Sequence, residues 1–267
     1  MPSYLVTGAN RGLGYGFVQQ IVNQDPSNVV IGLVRDKASA DAKVAGAGLK
    51  NVHFVQGDIS DYTSLVKARE TVSSITGGKL DYLINNAAYL ARNTEDDGID
   101  EFLDDAGIAK INKELRDAFD VNVVGVVDTI NVFLPLIRKG DVKKIVVISS
   151  GMADPDLVNF GKVYAGAPYS ISKAAVNLAV AKYNARLGTE KEGGILVFAI
   201  SPGVVSTWAD GKEPAAIAGL RQMAPDWPGP LTPTESADAC LKVIYDFSVE
   251  KGNGGSFVSH HGNKEWL

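Results

Sequence analysis

Tyr169 and Lys173 are the two residues whose types and spacing most directly suggest chemistry. They stand four positions apart at the start of a predicted helix over residues 168–187, so their side chains share one helix face. Free tyrosine is a poor base near neutral pH, and lowering its pKa of ~10 by ~3 units requires about 4 kcal/mol of differential stabilisation. One nearby ammonium in a partly dry crevice could supply much of that, and the phenol could then exchange a proton with a carbonyl or alcohol oxygen. An accidental i,i+4 pair is the alternative, since many helices contain one.

Two further polar positions end or interrupt apolar segments. Ser149 and Ser150 end the fifth predicted strand, where a hydroxyl could hold a substrate oxygen. Adjacent strand residues face opposite sides, so only one of the two can do this, and a plain strand-terminal turn is the alternative. Asn122 lies inside an otherwise apolar helix, where a buried amide needs hydrogen-bond partners. A crevice water and a satisfied core asparagine explain Asn122 equally well.

A glycine-rich turn near the start of the chain has the form of a phosphate-binding loop. Gly8, Gly12 and Gly14 give the pattern T-G-x-x-x-G-x-G directly after the apolar run 4–6, and apolar residues at helical spacing follow. Glycine lets backbone N–H groups approach a pyrophosphate, which then lies at the positive end of a helix dipole. A purely structural turn is the alternative, but the position after an N-terminal strand favours a nucleotide.

The elements that must position these residues alternate along the chain. Apolar runs predict strands over residues 4–6, 29–34, 52–59, 80–88, 144–150, 195–200 and, as a closing strand, 256–259. Helical spacing predicts helices over residues 12–23, 61–75, 112–138, 168–187 and 234–247. This alternation predicts an α/β fold: a Rossmann-type doubly wound parallel sheet of about seven strands with helices on both faces, in a single domain over residues 1–267. Ligands would bind at the carboxyl ends of the strands.

Two stretches interrupt the alternation. Residues 89–111 are rich in Asp and Glu and are predicted to be a solvated loop, because no EF-hand spacing is present. Residues 201–233 are rich in Pro, Gly and Trp, with a short helix over 213–223, and are predicted to form a lid over the crevice. The three histidines form no ligand set by spacing, so no metal site is expected.

Composition excludes several classes of protein. The 267 residues are 45% hydrophobic with a formal charge of −5, which gives no electrostatic basis for binding nucleic acid or an anionic membrane. Cys240 is the only cysteine, so no disulfide framework exists, and a buried apolar role is expected for it. No apolar run approaches the ~20 residues of a membrane span, and the first residues form a strand rather than a signal peptide. We therefore expect a soluble, cytoplasmic protein.

Taken together, the motifs resemble the short-chain dehydrogenase/reductase family. They occur in that family's order over essentially the whole chain: the glycine turn, Asp58, Asn85-Asn86-Ala87-Ala88, Val121-Asn122, Ser149-Ser150, Tyr169-x-x-x-Lys173 and Pro202-Gly203-x-x-x-Thr207. The entry Leu-Val-Thr-Gly and the ending that contains Trp266 look most like the fungal norsolorinic-acid-ketoreductase branch. Ala88 stands where the family usually has glycine, and the loops before Asn112 and after Ser150 are longer than usual, which suggests an unusual substrate-pocket wall.

The resemblance implies a role for each matching residue. Tyr169 would be the general acid/base, and Lys173 would lower its pKa and bind the nicotinamide ribose. Ser150 would orient the reacting oxygen, and Asn122 would hold a water in a proton relay behind Lys173. The remaining implied cofactor contacts are Gly8, Asn10, Arg11, Gly12, Leu13 and Gly14 in the turn, Asp58 and Ile59 at adenine, Asn86 and Ala87 beside the adenosine ribose, and Pro202, Val205 and Thr207 near the carboxamide and phosphates.

The end of the second predicted strand bears on the choice of cofactor. An acidic residue there would bind a ribose 2′-OH and repel a 2′-phosphate. Arg35 stands at this position, with Arg11 inside the glycine turn, and two guanidinium groups suit a phosphate. A solvated surface arginine is the alternative, and Asp36 could still take a ribose hydroxyl. We predict that NADP(H) is preferred over NAD(H).

These inferences predict an NADP(H)-dependent oxidoreductase that transfers hydride between nicotinamide and a ketone or secondary alcohol, with an extended or aromatic ketone as substrate. The alternatives are a non-redox reaction on the same scaffold, such as cyclisation, isomerisation or dehydration, and a cofactor-binding sensor without chemistry. In this family the helices that begin near Asn112 and Pro168 often pack against a partner, so a homodimer or homotetramer is a further expectation. The same apolar residues could equally face the sheet.

Overall fold

The computed structural model describes residues 1–92, 94–190, 193–208 and 216–267. Its centre is a seven-stranded, fully parallel sheet with strand order β3-β2-β1-β4-β5-β6-β7. The strands are β1 Ser3–Thr7, β2 Val29–Val34, β3 Val52–Gln56, β4 Tyr82–Asn85, β5 Lys144–Ile148, β6 Leu196–Ser201 and β7 Phe257–Ser259. Every residue of β1, β4, β5 and β6 is buried, as expected when helices cover both faces. The predicted doubly wound sheet in a single domain is confirmed.

Nine α-helices are defined within the described residues. They are α1 Gly12–Gln24, α2 Lys37–Ala47, α3 Tyr62–Thr76, α4 Asp105–Phe119, α5 Gly125–Ile137, α6 Pro155–Gly161, α7 Ala167–Leu187, α8 Ala216–Met223 and α9 Pro233–Asp246. Helices α1 and α9 bury residues in the core on one face of the sheet. Helices α3, α5 and α7 bury residues in the core on the opposite face. The site residues that follow the strands are therefore held between two packed layers.

The acidic stretch was only partly a loop. Helix α4 begins at Asp105, seven residues before the predicted start of that helix, because the Asp104 side chain accepts a hydrogen bond from Gly107 N at 2.7 Å and caps it. The prediction of a solvated loop over residues 89–111 is therefore wrong for its last seven residues. Helices α2 and α6 were also not predicted. Each is capped by an aspartate, Asp36 and Asp154 respectively.

A π-helical turn, Asp120–Val124, joins α4 to α5 inside the continuous helix predicted over residues 112–138. Such wide turns are rare in proteins, and those that do occur are often found at functional sites. This one carries the buried Asn122. The segment Asp105–Ile137 is long and apolar enough to cross a membrane, with a mean hydropathy of 1.6 in its most apolar window, but 56% of that window is buried inside the protein. Packing against the sheet accounts for that burial.

The predicted lid over residues 201–233 is described only in part. Helix α8 coincides with the end of the short helix predicted over residues 213–223, and residues 209–215 lie outside the described part of the chain. After β6 the chain forms a parallel bridge between Val205 and Leu231. Lid behaviour stays a prediction.

Candidate active site

The candidate site lies at the carboxyl ends of the strands, where the order of the sheet reverses. β1 has β2 on one side and β4 on the other, so the glycine turn after β1 adjoins the segment after β4. Doubly wound sheets bind ligands at such a switch point. Thr7 ties the two segments together, since its Oγ1 accepts hydrogen bonds from Asn86 N at 3.0 Å and from Ala87 N at 2.9 Å.

The glycine turn is a backbone cradle with no room for side chains. Gly8 and Gly12 have φ angles of +66° and +53°, which side chains rarely allow. A Cβ on Gly14 would overlap the Gly8 carbonyl oxygen and lie 2.6 Å from Asn86 Nδ2. This open backbone at the start of α1 fits the phosphates of a dinucleotide. Leu13 is buried beside it.

The chain after β6 returns to the glycine turn. Thr207 Cγ2 lies 3.3 Å from the position of a Cβ on Gly12. Leu231 holds this return in place, because its N–H donates to Val204 O at 2.9 Å and its carbonyl accepts from Ser206 N at 2.9 Å. The structure thus brings Thr207 to the phosphate cradle, as the resemblance implies. The cofactor roles of Pro202, Val205 and Thr207 stay predictions.

The adenosine end is polar and open. Arg35 is exposed after β2 and lines a pocket with Asp36, Lys37, Asp41 and Gln56. The Asp36 carboxylate accepts a hydrogen bond from Ser39 N at 3.1 Å, so it caps α2. Lys43, which sequence reasoning missed, reaches back from α2 to donate to Asn10 O at 3.1 Å.

Asp58 and Ile59 come just after β3, the strand beside β2. The Asp58 carboxylate accepts from Ser60 N at 2.9 Å, and its own N–H donates to Ser64 Oγ at 3.1 Å. Ile59 is buried, and its carbonyl approaches Gly125 so closely that a Cβ there would lie 2.8 Å from it. The segment predicted to contact adenine is therefore held rigidly against α5.

Tyr169 and Lys173 lie on the first turns of α7 and meet as the i,i+4 spacing predicts. Lys173 Nζ is 5.6 Å from the centre of the Tyr169 ring and donates to Ile148 O, the last carbonyl of β5, at 2.7 Å. Lys173 is only 2% exposed, and this burial lowers its pKa to about 8. Burial also raises the pKa of Tyr169 to about 12, against the opposing effect of a hydrogen bond with the Ser150 side chain.

The direction of the Tyr169 shift differs from the sequence-based expectation. A lowered pKa was expected from the ammonium together with a bound nicotinamide, whereas in the free protein burial of the phenol raises the pKa more than the hydrogen bond with Ser150 lowers it. The expected lowering stays a prediction for the complex with an oxidised, positively charged nicotinamide. In the free protein the phenol is protonated at neutral pH.

The structure separates the two serines after β5. Ser150 interacts with Tyr169, and its Oγ also accepts a hydrogen bond from Met152 N at 3.2 Å. Ser149 is buried, and its Oγ has no hydrogen-bond partner among the described residues. The alternation of a strand therefore directs Ser150 to the site and Ser149 to the interior.

Asn122 is a fully buried amide used within the protein. Its Nδ2 donates to Tyr89 O at 3.0 Å and to Ser172 Oγ at 2.9 Å, and its Oδ1 accepts from Tyr89 N at 2.7 Å. Ser172 in turn donates to Tyr169 O at 2.7 Å. Both amide hydrogens are thus engaged by protein groups. The family resemblance implies that Asn122 holds a water in a proton relay, and this stays a prediction. Such a water would have to bind an atom of Asn122 other than its two amide hydrogens.

A second connection to the π-helical region was missed from the sequence. The Tyr89 hydroxyl donates to Glu114 Oε2 at 2.6 Å, and this hydrogen bond, rather than burial, is the main reason that the pKa of Tyr89 is raised to about 12. Glu114 is buried on α4. Glu114 lies in the helix predicted over residues 112–138, where nothing in the sequence marked it as a buried partner of Tyr89. Within the described residues, no group of three or more His, Cys, Asp or Glu side chains is arranged to hold a metal ion.

A glycine cradle after the first strand and a tyrosine–lysine pair on one helix face define a dinucleotide-dependent oxidoreductase site. A sequence profile of the short chain dehydrogenase family matches residues 3–217, and the chain belongs to this family. It is 43% identical to the short chain dehydrogenase virK of Hypocrea virens and 46% identical to the short-chain dehydrogenase/reductase AacuF of Aspergillus aculeatus, with complete coverage of both chains in each case.

A solved structure shares the whole architecture. The NADPH-bound carbonyl reductase from chicken fatty liver is 25% identical, with a TM-score of 0.77 and 98% of each chain covered. The match confirms the fold over nearly the full length. The protein is therefore an oxidoreductase of the short-chain dehydrogenase family.

Proposed function

We propose that this protein is an NADP(H)-dependent ketoreductase that transfers hydride between nicotinamide and a ketone or secondary alcohol. The observation that carries the proposal is that Tyr169, Lys173 and Ser150 meet at the carboxyl edge of the sheet that also bears the glycine cradle. A bound nicotinamide nucleotide supplies the hydride. The side chains supply the proton and the charge stabilisation.

Tyr169 is the proton donor in the direction of ketone reduction. Its pKa of about 12 keeps the phenol protonated at neutral pH, as an acid catalyst must be. The Ser150 hydroxyl, next to the phenol, hydrogen-bonds the same substrate oxygen and orients it. Donation from two hydroxyl groups stabilises the negative charge that develops on that oxygen.

Lys173 stabilises the phenolate that remains after proton transfer. With a pKa of about 8 it is cationic at neutral pH, and it is held near the ring by its hydrogen bond to Ile148 O. A buried cation acts strongly because little water screens it.

Two guanidinium groups support the preference for NADP(H). Arg35 is exposed at the end of β2, and Arg11 is exposed in the glycine turn. Asp36, the acidic residue next to Arg35, caps α2 with one of its carboxylate oxygens. An exposed guanidinium and an engaged carboxylate favour a 2′-phosphate over a 2′-hydroxyl. The structural relative from chicken liver binds NADPH.

Aromatic and apolar side chains support an extended or aromatic ketone as substrate. Phe160 on α6 is 78% exposed and Tyr164 in the following loop is 69% exposed. Helix α6 meets α8, which belongs to the predicted lid, since a Cβ on Gly161 would contact the thioether of Met223. The narrower resemblance to norsolorinic-acid ketoreductases agrees with an aromatic substrate and stays a prediction.

Self-association through the long helices is also proposed. Phe119, Val124, Ile171 and Leu178 are large apolar residues of α4, the π-helical turn and α7, and each is more than 40% exposed. Their exposure supports a homodimer or homotetramer whose interface covers them. Sedimentation velocity tests this: a Leu178→Asp variant should shift the protein to monomer, and a monomeric wild type would contradict the proposal.

Substitution of the phenol tests the proposed chemistry. Tyr169→Phe removes only the hydroxyl and should reduce turnover of an aromatic ketone panel with NADPH by at least ~100-fold, because general acid catalysis contributes on that order. The dissociation constant for NADPH, measured by fluorescence titration, should stay within about twofold. Turnover by Tyr169→Phe at the wild-type rate would overturn the assignment.

A further inference from the structure

The carboxyl-terminal tail, residues 260–267, packs directly on the segment that carries Ser150. Trp266 is only 9% exposed, and a Cβ on Gly151 would lie 3.2 Å from Trp266 Cβ and 3.4 Å from Cγ. Gly151 is the residue after Ser150, and its N–H donates to Ser201 Oγ at 2.9 Å. Together with Leu157, whose Cδ2 would lie 3.1 Å from the same Cβ, Trp266 therefore bounds a tight backbone position next to the proposed substrate-orienting hydroxyl.

A cation and two aromatic rings fix the tail in this place. Trp266 stacks on Phe257 of β7 with ring centres 4.6 Å apart and planes 28° from parallel. Lys264 Nζ lies 4.8 Å from the Phe257 ring centre and 5.0 Å from that of Trp266. The same ammonium is 3.5 Å from Asp154 Oδ2, and Asp154 caps α6. The tail thus contacts both ends of the short segment between Ser150 and α6.

The start of the tail contacts the segment that follows β6. The ring of His260 is 8% exposed and packs on Gly203, where a Cβ would lie 2.9 Å from His260 Cε1. A turn holds the ring there, because Ser259 N donates to Asn263 O at 2.7 Å and Ser259 Oγ bonds Asn263 Oδ1 at 3.1 Å. One short tail therefore spans the segments that follow β5 and β6.

We propose that Trp266 is a positioning residue of the active site, which holds the Gly151 backbone so that the Ser150 hydroxyl stays against Tyr169. The inference rests on the proposed function of Ser150 and extends it to the tail. Removing the indole leaves a cavity on the side of Gly151 where other residues carry a Cβ, and the backbone can shift into this cavity. A shift of about 1 Å in a group that orients substrate can cost up to ~100-fold in rate.

A double-mutant cycle tests the proposal. Trp266→Ala should lower kcat for ketone reduction about tenfold, with the NADPH dissociation constant unchanged, because catalytic geometry rather than cofactor affinity is lost. In a Ser150→Ala background the same substitution should cost less than about twofold, because both variants remove the same hydroxyl contact. Trp266→Phe keeps an aromatic ring against Gly151 and should recover most of kcat.

A control separates positioning from general destabilisation. Phe133 is a fully buried residue of α5, and Phe133→Leu should lower the melting temperature without the selective loss of kcat. Equal losses from Trp266→Ala in the wild-type and Ser150→Ala backgrounds would overturn the proposal.

A second readout needs no turnover. The ¹³Cζ resonance of Tyr169, assigned by its disappearance in Tyr169→Phe, should move in Trp266→Ala to the position that it has in Ser150→Ala. An unmoved resonance would overturn the positioning role. If the wild type reduces no ketone, the function proposed above fails, and this resonance still decides whether Trp266 holds Ser150 against the phenol.

Discussion

The two halves of the active-site crevice are built in different ways. At the nucleotide half, each contact involves backbone atoms: the Gly8 carbonyl lies against Gly14, and the Thr7 hydroxyl accepts from the backbone N–H groups of two residues after β4. At the substrate half, side chains of loops, α6, α8 and the tail make the contacts, as with Trp266 on Gly151. A backbone site tolerates little change, whereas a side-chain wall can be altered without disturbing the sheet.

The strongest test of this contrast between the two halves is to add one methyl group at the nucleotide half. Gly14→Ala places a Cβ against the Gly8 carbonyl, and overpacking of this kind costs about 3 kcal/mol, or roughly 150-fold in an equilibrium constant. We expect the NADPH dissociation constant, measured by fluorescence, to rise by about that factor. Gly46→Ala is the matched control, because no atom lies within 4 Å of its added Cβ, and it should bind NADPH normally. Normal binding by Gly14→Ala would show that the cradle is adaptable.

The catalytic residues lie between the two halves, and the pH dependence of ketone reduction tests the role of the Lys173 charge. Burial lowers the pKa of Lys173 to about 8, so its ammonium is present below that pH and is lost as the pH rises through it. We therefore expect kcat/KM for ketone reduction to fall about tenfold for each pH unit above 8. Lys173→Arg keeps its charge, so its lower rate should show no such decline. A flat wild-type profile up to pH 10 would contradict the role of Lys173.

Loss of a charge at the adenosine end should weaken NADPH binding less than a change in the shape of the glycine cradle does. Arg35→Ala should weaken NADPH binding about tenfold and leave NADH binding nearly unchanged, since a charge-assisted hydrogen bond at an exposed site contributes about 1.5 kcal/mol. The measurement is the ratio of the two dissociation constants. Arg116→Ala, an exposed arginine on α4, is the control. Equal dissociation constants for the two cofactors in the wild type would count against an NADP(H) preference.

The smallest effect is expected at the substrate wall. Phe160→Ala should raise KM for an aromatic ketone about fivefold, the value of one stacking contact of ~1 kcal/mol, and leave KM for a small aliphatic ketone unchanged. Because Phe160 is exposed, the free energy of unfolding should change by less than about 0.5 kcal/mol. Tyr62→Ala, an exposed aromatic on α3, is the control. An identical effect on both ketones would remove Phe160 from the pocket.

The same contrast explains what could be predicted from the sequence. Glycine spacing, apolar strands and an i,i+4 pair are local patterns with a direct geometric meaning, and they predicted the sheet, the cradle and the meeting of Tyr169 with Lys173. Helix α2 was not predicted because no apolar stripe marks it, and its aspartate cap becomes visible only in three dimensions.

Other features of the site depend on long-range contacts. Residue types alone left Ser149 and Ser150 as equals, the family resemblance favoured Ser150, and only packing showed which one interacts with Tyr169. The contact of Trp266 with Gly151 joins residues 115 positions apart, so no local pattern could report it. The upward shift of the Tyr169 pKa in the free protein is also a long-range effect, because burial depends on the whole fold.

Transfer of label from cofactor to product tests the central claim most directly. NADPH carrying deuterium at the transferable C4 position should deliver one deuterium to the carbinol carbon of the alcohol, detected by mass spectrometry, with wild-type protein and an aromatic ketone. Tyr169→Phe should deliver almost none over the same time while binding the cofactor normally. A rearranged, cyclised or dehydrated product without deuterium would contradict the account and assign this fold a non-redox reaction.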